Sequence, residues 1–494
     1  MSASPTVELG QGRLSLTGVL AQSVGFMGPV FSVASLLPLI VGLSATGRGA
    51  GVATPLAIII AGIGMFGAGW IIAEYARRIH VCGSLYEYIS DTFGRRVGAI
   101  AGWVYYGAML ILAAATFLAL GGLSEAFLGT AFSVSVPWWL LSLGYIAVAV
   151  VLLVVGVQVS VRAQLALVLI SSAVVLGFAI YIIAQGGLGR HSLSTRPFNP
   201  FAVGGLDLLY GVLYGINMFI GFESAANLAE ETDDPKRHIP RAVLWSLIIV
   251  GIYFVITAYS QDVGFGLDAN AWKNSVFPLQ TLASGAAFGS TGFGNLMSVL
   301  ILLDILAVAI GVGVASTRGM FAMARGGSLP AGLSRVSVRF GTPVAGVWLM
   351  GAVSVASVLL VSLGGGVFSR ATGQPGVLQP EWAPMFGWMA GFAGTGLAMM
   401  YLAVSLAGAR GLWHQVSRPK LMLAAAAGVT VSAGAVFGSV YQASSPLDTV
   451  PWVLGLWIVL GVVWSMLGLR NPVTLTIAQS HSSEAADQLT GETA

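Results

Sequence analysis

The chain has 494 residues, 56% of them hydrophobic and only 8% charged, with a net charge of +3. A soluble protein carries about 25% charged residues, so a surface that faces water throughout is excluded and lipid must cover much of it. The bases form no stripe with interleaved aromatics, which argues against a nucleic-acid partner. The single cysteine, Cys82, excludes an internal disulfide.

Apolar runs near the ~20 residues that a membrane-crossing helix needs recur at 19–43, 53–75, 97–122, 137–156, 163–185, 206–229, 240–262, 294–323, 343–363, 383–408, 420–441 and 450–469. They are far longer than the roughly ten-residue alternating strands of a membrane barrel. The predicted fold class is therefore an all-α integral membrane protein with twelve transmembrane helices. The polar start, Met1 to Ser15, lacks the pattern of a cleaved signal. With that start inside the cell, seventeen of the 22 lysines and arginines, from Arg13 to Arg470, fall on the inner side. This asymmetry predicts a multi-pass protein with both termini cytoplasmic.

In the first run, Ser23-Val24-Gly25-Phe26-Met27-Gly28-Pro29 places two glycines beside a proline. Proline lacks an amide donor and clashes with the preceding turn, so a break is predicted there. In the sixth run, Phe219-Ile220-Gly221-Phe222-Glu223-Ser224 sets a glycine beside a carboxylate at the corresponding place, five spans on. Helices interrupted inside a membrane expose amides and carbonyls, which are tolerated where they line a cavity. Half-helix N-termini suit a carboxylate and C-termini an ammonium, so facing breaks would seat a zwitterion. The candidate substrate-binding residues are Gly25, Phe26, Met27, Gly28, Asn217, Phe219, Gly221, Phe222 and Glu223. Asn217 lies one turn before Gly221, and the two phenylalanines flank the break.

A carboxylate in hydrocarbon costs about 2.5–3.5 kcal/mol on insertion scales, so Glu223 needs a role. It is a proton carrier, a seat for an ammonium, or an acceptor for amides freed by the break. Glu230 and Glu231 follow at the inner end, where pairing with Arg77, Arg78 or Arg318 would form an inner gate. Asp304 is the other acid inside a predicted span, a candidate for proton or cation duty. The histidines show no metal-ligand spacing, so no metal site is expected.

Three stretches resemble the amino acid–polyamine–organocation (APC) superfamily of secondary transporters. They are Gly221-Phe222-Glu223 with Ala229-Glu230-Glu231-Thr232, Pro235 and Ile239-Pro240-Arg241-Ala242; Glu74-Tyr75-Ala76-Arg77-Arg78-Ile79 with Gly83-Ser84-Leu85-Tyr86 and Gly102-Trp103; and Ser316-Thr317-Arg318 with Met323-Ala324-Arg325-Gly326-Gly327. The resemblance implies a LeuT-type fold: five spans repeated in inverted orientation (about 19–185 and 206–408), then two accessory helices (409–469), between tails 1–18 and 470–494. It also implies movement of amino acids or related small amines, coupled to protons or sodium or by exchange, and no bound cofactor. The first break departs from the family's glycine–serine–glycine-like turn. The fifth-span position where some members carry a coupling lysine is Ser171 here, which makes Ser171 a candidate sodium ligand. The alternatives are a channel, which needs a repeated filter sequence, or a membrane-embedded enzyme, which needs a nucleophile–base set. The spans contain neither. No ATP-binding glycine-rich loop is present, so any pumping draws on an ion gradient. The sequence leaves the oligomeric state open.

Overall fold

The computed structural model describes residues 9, 14–42, 47–190, 193–275, 277–337, 339–367, 370–371, 378–441 and 446–468. Arg13, Arg470 and the tail 470–494 lie outside the described residues, as does most of 1–13. Among the described residues, twelve helices are long and apolar enough to cross a membrane, each on its predicted run. They are Leu16–Ser35, Gly51–Ala76, Arg95–Phe132, Trp138–Val155, Val157–Ala184, Gly205–Glu231, Pro235–Gly264, Thr291–Arg325, Val344–Gly364, Trp382–Gly411, Arg418–Ser439 and Leu447–Leu467. Among the described residues the only strands are a two-residue antiparallel ladder, Arg370–Ala371 against Leu378–Gln379.

The first span packs against the second half of the sixth and against the fifth, seventh and eighth. The third, 38 residues long, packs against the eighth and tenth. Spans four, five, nine, eleven and twelve carry large exposed apolar side chains such as Val148, Ile170, Leu360, Leu423 and Leu456. With hydrocarbon as the solvent these are an expected outer surface rather than a liability. The inner helices instead meet through small residues, which let backbones approach closely. Gly319, for instance, lies so close to the Tyr106 ring that a methyl group there would overlap it.

The structure adds short helices between spans that hydropathy does not mark. Leu85–Phe93 follows the second span, and Ala269–Asn274 and Pro278–Ser284 follow the seventh. The third span also runs ten residues past its predicted end at 122, to Phe132, because a helix does not stop where its apolar run does.

Candidate functional site

Both predicted breaks are present, and they lie against each other. Gly28 sits at φ +55 between the half-helices Leu16–Met27 and Pro29–Ser35. Only glycine adopts that left-handed conformation without strain, and Pro29 starts the second half where a missing N–H costs nothing. In the sixth span the helix ends in a short 3₁₀ segment, Ile216–Phe219. Ile220 is extended, Gly221 takes φ +109, and Phe222–Glu231 continues as a ten-residue 3₁₀ helix. Runs of 3₁₀ longer than about four residues are uncommon and often mark hinges. A Cβ on Gly221 would lie 2.6 Å from Phe26 Cγ, so the two breaks touch where side chains would keep them apart. Ser23 ties them together: its hydroxyl donates to the Phe222 carbonyl (2.7 Å) and accepts from the Ala225 amide (3.2 Å).

Each half-helix beginning inside the membrane is capped by an acid of the chain itself. Asp304, fully buried in the eighth span, accepts the Val30 and Phe31 amides on Oδ2 at 3.1 and 2.8 Å. Its other oxygen lies 3.2 Å from Ser171 Oγ, whose single proton also faces the Leu167 carbonyl of its own helix at 2.9 Å. Glu223, equally buried, accepts from Tyr105 OH on Oε1 (3.0 Å) and from Tyr401 OH (2.8 Å) and the Gly221 amide (3.2 Å) on Oε2. A buried carboxylate with such donors is solvated by the protein instead of by water.

Beside the breaks lies a cavity of about 340 Å³. Its wall includes Phe26, Met27, Phe31, Tyr214, Asn217, Ile220 and Phe386, with no acid and no base among the described residues. Of the predicted substrate-binding residues, Phe26, Met27 and Asn217 line it. Gly25 packs on Gln164, Gly28 against Val308 and Asp304, and Gly221 on Phe26. Phe219 stacks edge-on to Phe254, and Phe222 lies against Tyr401. Glu223 is behind the wall, among its donors. Phe31, Phe386 and Ile220 belong to the wall and were not predicted. Phe31 was within reach of the sequence, four residues past Met27 in the same span, just beyond the break.

At one end of the bundle the charge cluster closes as one buried and one half-buried ion pair. Arg318 grips Glu231 (Nε to Oε2, 3.0 Å) with both side chains essentially unexposed. Glu230 accepts from Arg325 through both of its oxygens, one at 2.8 Å, and also from the Cys82 amide at 3.0 Å. Arg77 and Arg78 take no part in this latch. They pair with Glu74 on their own helix at 3.3 and 2.9 Å, because neighbours one turn apart meet without any tertiary contact. The cation that the predicted gate set omitted is Arg325.

Glu87, on the short helix Leu85–Phe93, faces this latch. Burial pushes its carboxyl up from 4.5 to about 7; Arg325 pulls it down, and Glu230 pushes it further up. A raised folded value means that the stabilisation from the neutral form is complete below about pH 4.5. It is lost as pH rises through about 7. Glu87→Gln stays neutral at every pH, so its melting temperature is expected to fall less than the parent's between about pH 5 and about pH 8. Parallel melting profiles for the two proteins would remove Glu87 from the latch.

Twelve helices with two spans broken face to face form the fold of a membrane permease. Residues 24–373 match the amino acid permease family model, and the chain belongs to that family, within the APC superfamily and with its LeuT-type arrangement. Its relatives are transporters rather than enzymes. The chain is 26% identical over 341 residues to the branched-chain amino acid permease BcaP of Bacillus subtilis, covering 64% of this chain and 70% of that protein. It is 25% identical to the methylthioribose transporter of Bacillus subtilis, covering 64% and 69%. To the low-affinity putrescine importer PlaP of Escherichia coli it is 25% identical over 292 residues, covering 58% of this chain and 62% of the importer.

Proposed function

We propose that this permease is a secondary active transporter that carries amino acids or related small amines across the plasma membrane by alternating access. The observation that carries the proposal is the contact between the two mid-span breaks, beside a cavity and with ion pairs across one end of the bundle. In this reading the latch end is cytoplasmic, as are both termini. The transport core is 19–408, built of repeats at about 19–185 and 206–408, with 409–469 accessory and tails at 1–18 and 470–494. Phe26, Met27 and Asn217 contact substrate, Gly28 and Gly221 keep the breaks open, and Gly25 lets the first half-helix pack on Gln164. Glu230, Glu231, Arg318 and Arg325 form the inner gate. Asp304 with Ser171 is the coupling site for a proton or sodium ion, because an ion bound there would weaken the cap that holds the first break. The relatives' names, covering branched-chain amino acids, methylthioribose and putrescine, support a small polar or amine-bearing solute.

The test is uptake into proteoliposomes of the full chain. Saturable accumulation that collapses with the proton gradient, or on replacement of sodium, is expected. Conductance without saturation would favour a channel and overturn the proposal.

A further inference from the structure

The two breaks offer positive half-helix ends, and at each an acid of the chain already takes backbone donors. At the first break Pro29 has no amide hydrogen, Val30 and Phe31 donate to Asp304, and the Ser32 amide donates to the Gly28 carbonyl at 2.8 Å. Every donor of that helix start is taken. At the second, the Gly221 amide donates to Glu223 and the Ser224 amide to the Gly221 carbonyl at 3.0 Å. The donors of the first break that could hold a solute's carboxylate are thus taken by Asp304, and the Gly221 amide of the second by Glu223, both wholly buried acids of the chain.

The cavity wall supplies no replacement. Among the described residues it has no lysine, arginine or histidine, and its polar groups are an amide and hydroxyls such as Asn217, Ser32 and Thr116. A carboxylate entering it would lose water and find no cation among the described residues of the wall. An ammonium meets the opposite situation. The Phe26, Phe31 and Phe386 rings line the cavity and supply aromatic partners for cation–π contact, either acid would attract it when ionised, and the C-terminal end of Leu16–Met27 carries partial negative charge.

We infer that the solute this cavity takes is a small organic cation without a free carboxylate, an apolar amine rather than an amino acid. The inference rests on the transport-site reading above and narrows its substrate class.

The experiment compares matched pairs on the purified full chain: 3-methylbutylamine against leucine, and 2-phenylethylamine against phenylalanine. Binding is followed by ligand-induced thermal shift and uptake in proteoliposomes. Each amine is expected to half-saturate the shift at a concentration roughly tenfold or more below its parent amino acid. Amino acids binding as well as their amines, or no shift from either amine, would overturn the inference. Amine binding without saturable uptake would leave it standing and sink the transport reading instead. Asp304→Asn keeps an oxygen for the two amides and removes the charge, so it is expected to narrow the gap between amine and amino acid. A gap that stays unchanged in a folded variant would overturn the part assigned to Asp304. Should that variant not fold, the comparison on the native chain decides alone.

Discussion

Glu231→Gln is expected to lower the unfolding free energy by about 3–5 kcal/mol, the usual cost of removing one partner from a buried ion pair. The substitution barely changes shape, yet it leaves the Arg318 guanidinium without a compensating charge in a site with no exposure, its side-chain acceptors now neutral: the new amide oxygen and Thr317 Oγ1 at 3.2 Å. Desolvation decides the sign here. Glu74→Gln breaks the Arg77 and Arg78 pairs, whose arginines reach solvent, and should cost no more than about 1 kcal/mol. Combining Arg318→Met with Glu231→Leu removes both charges together. That double variant is expected to regain most of the lost stability, because apolar side chains of similar volume replace a buried pair at little cost. It should not regain control of transport, since nothing then holds the latch shut. Thermal unfolding of the four proteins in one detergent measures all of this. Equal small losses for Glu231→Gln and Glu74→Gln would show that water reaches the Arg318 site.

How much of this was legible in the sequence depends on the distance over which each feature is decided. The spans were legible because lipid imposes a local rule of about 20 apolar residues on each. The breaks were legible because glycine and proline act within a turn or two of themselves: Gly28-Pro29 combines both effects, and Gly221 stands beside a carboxylate in an apolar run. The capping role of Asp304 was not, although Asp304 itself stood out as an acid in an apolar run. Its partners are amides some 270 residues away, and every residue has an amide. The latch shows the same divide. Glu230, Glu231 and Arg318 were identifiable as charges at one end. Which base meets which acid is tertiary: Arg325 reaches Glu230, while Arg77 and Arg78 are satisfied one turn away. Leu85–Phe93 escaped because an amphipathic helix lying outside the spans leaves no hydropathy signal.

The two buried acids should separate under a kinetic test, because they are held differently. As a proton carrier, Glu223 would lose gradient-driven accumulation more than exchange on conversion to glutamine. The geometry argues for the opposite. Its two oxygens serve two tyrosine hydroxyls and the Gly221 amide, and it stands outside the cavity wall, so losing it disturbs the break itself. Glu223→Ala would strand three buried donors at about 1–3 kcal/mol each, and it is expected to yield little folded protein. Glu223→Gln can turn its amide toward Tyr105, whose hydroxyl can rotate to accept, so a loss of about 1–2 kcal/mol is expected. Accumulation and exchange should then fall together. Asp304 also caps a break, but its second oxygen meets only the hydroxyl of Ser171, whose proton its own helix can take back. That oxygen is the one free to receive an ion. Asp304→Asn is therefore expected to keep exchange while losing accumulation by about tenfold or more, the scale on which removing an ion's charged ligand weakens its binding. Measuring both fluxes for both variants in the same liposomes decides between them. If Glu223→Gln uncouples and Asp304→Asn does not, the coupling site belongs in the sixth span rather than the eighth.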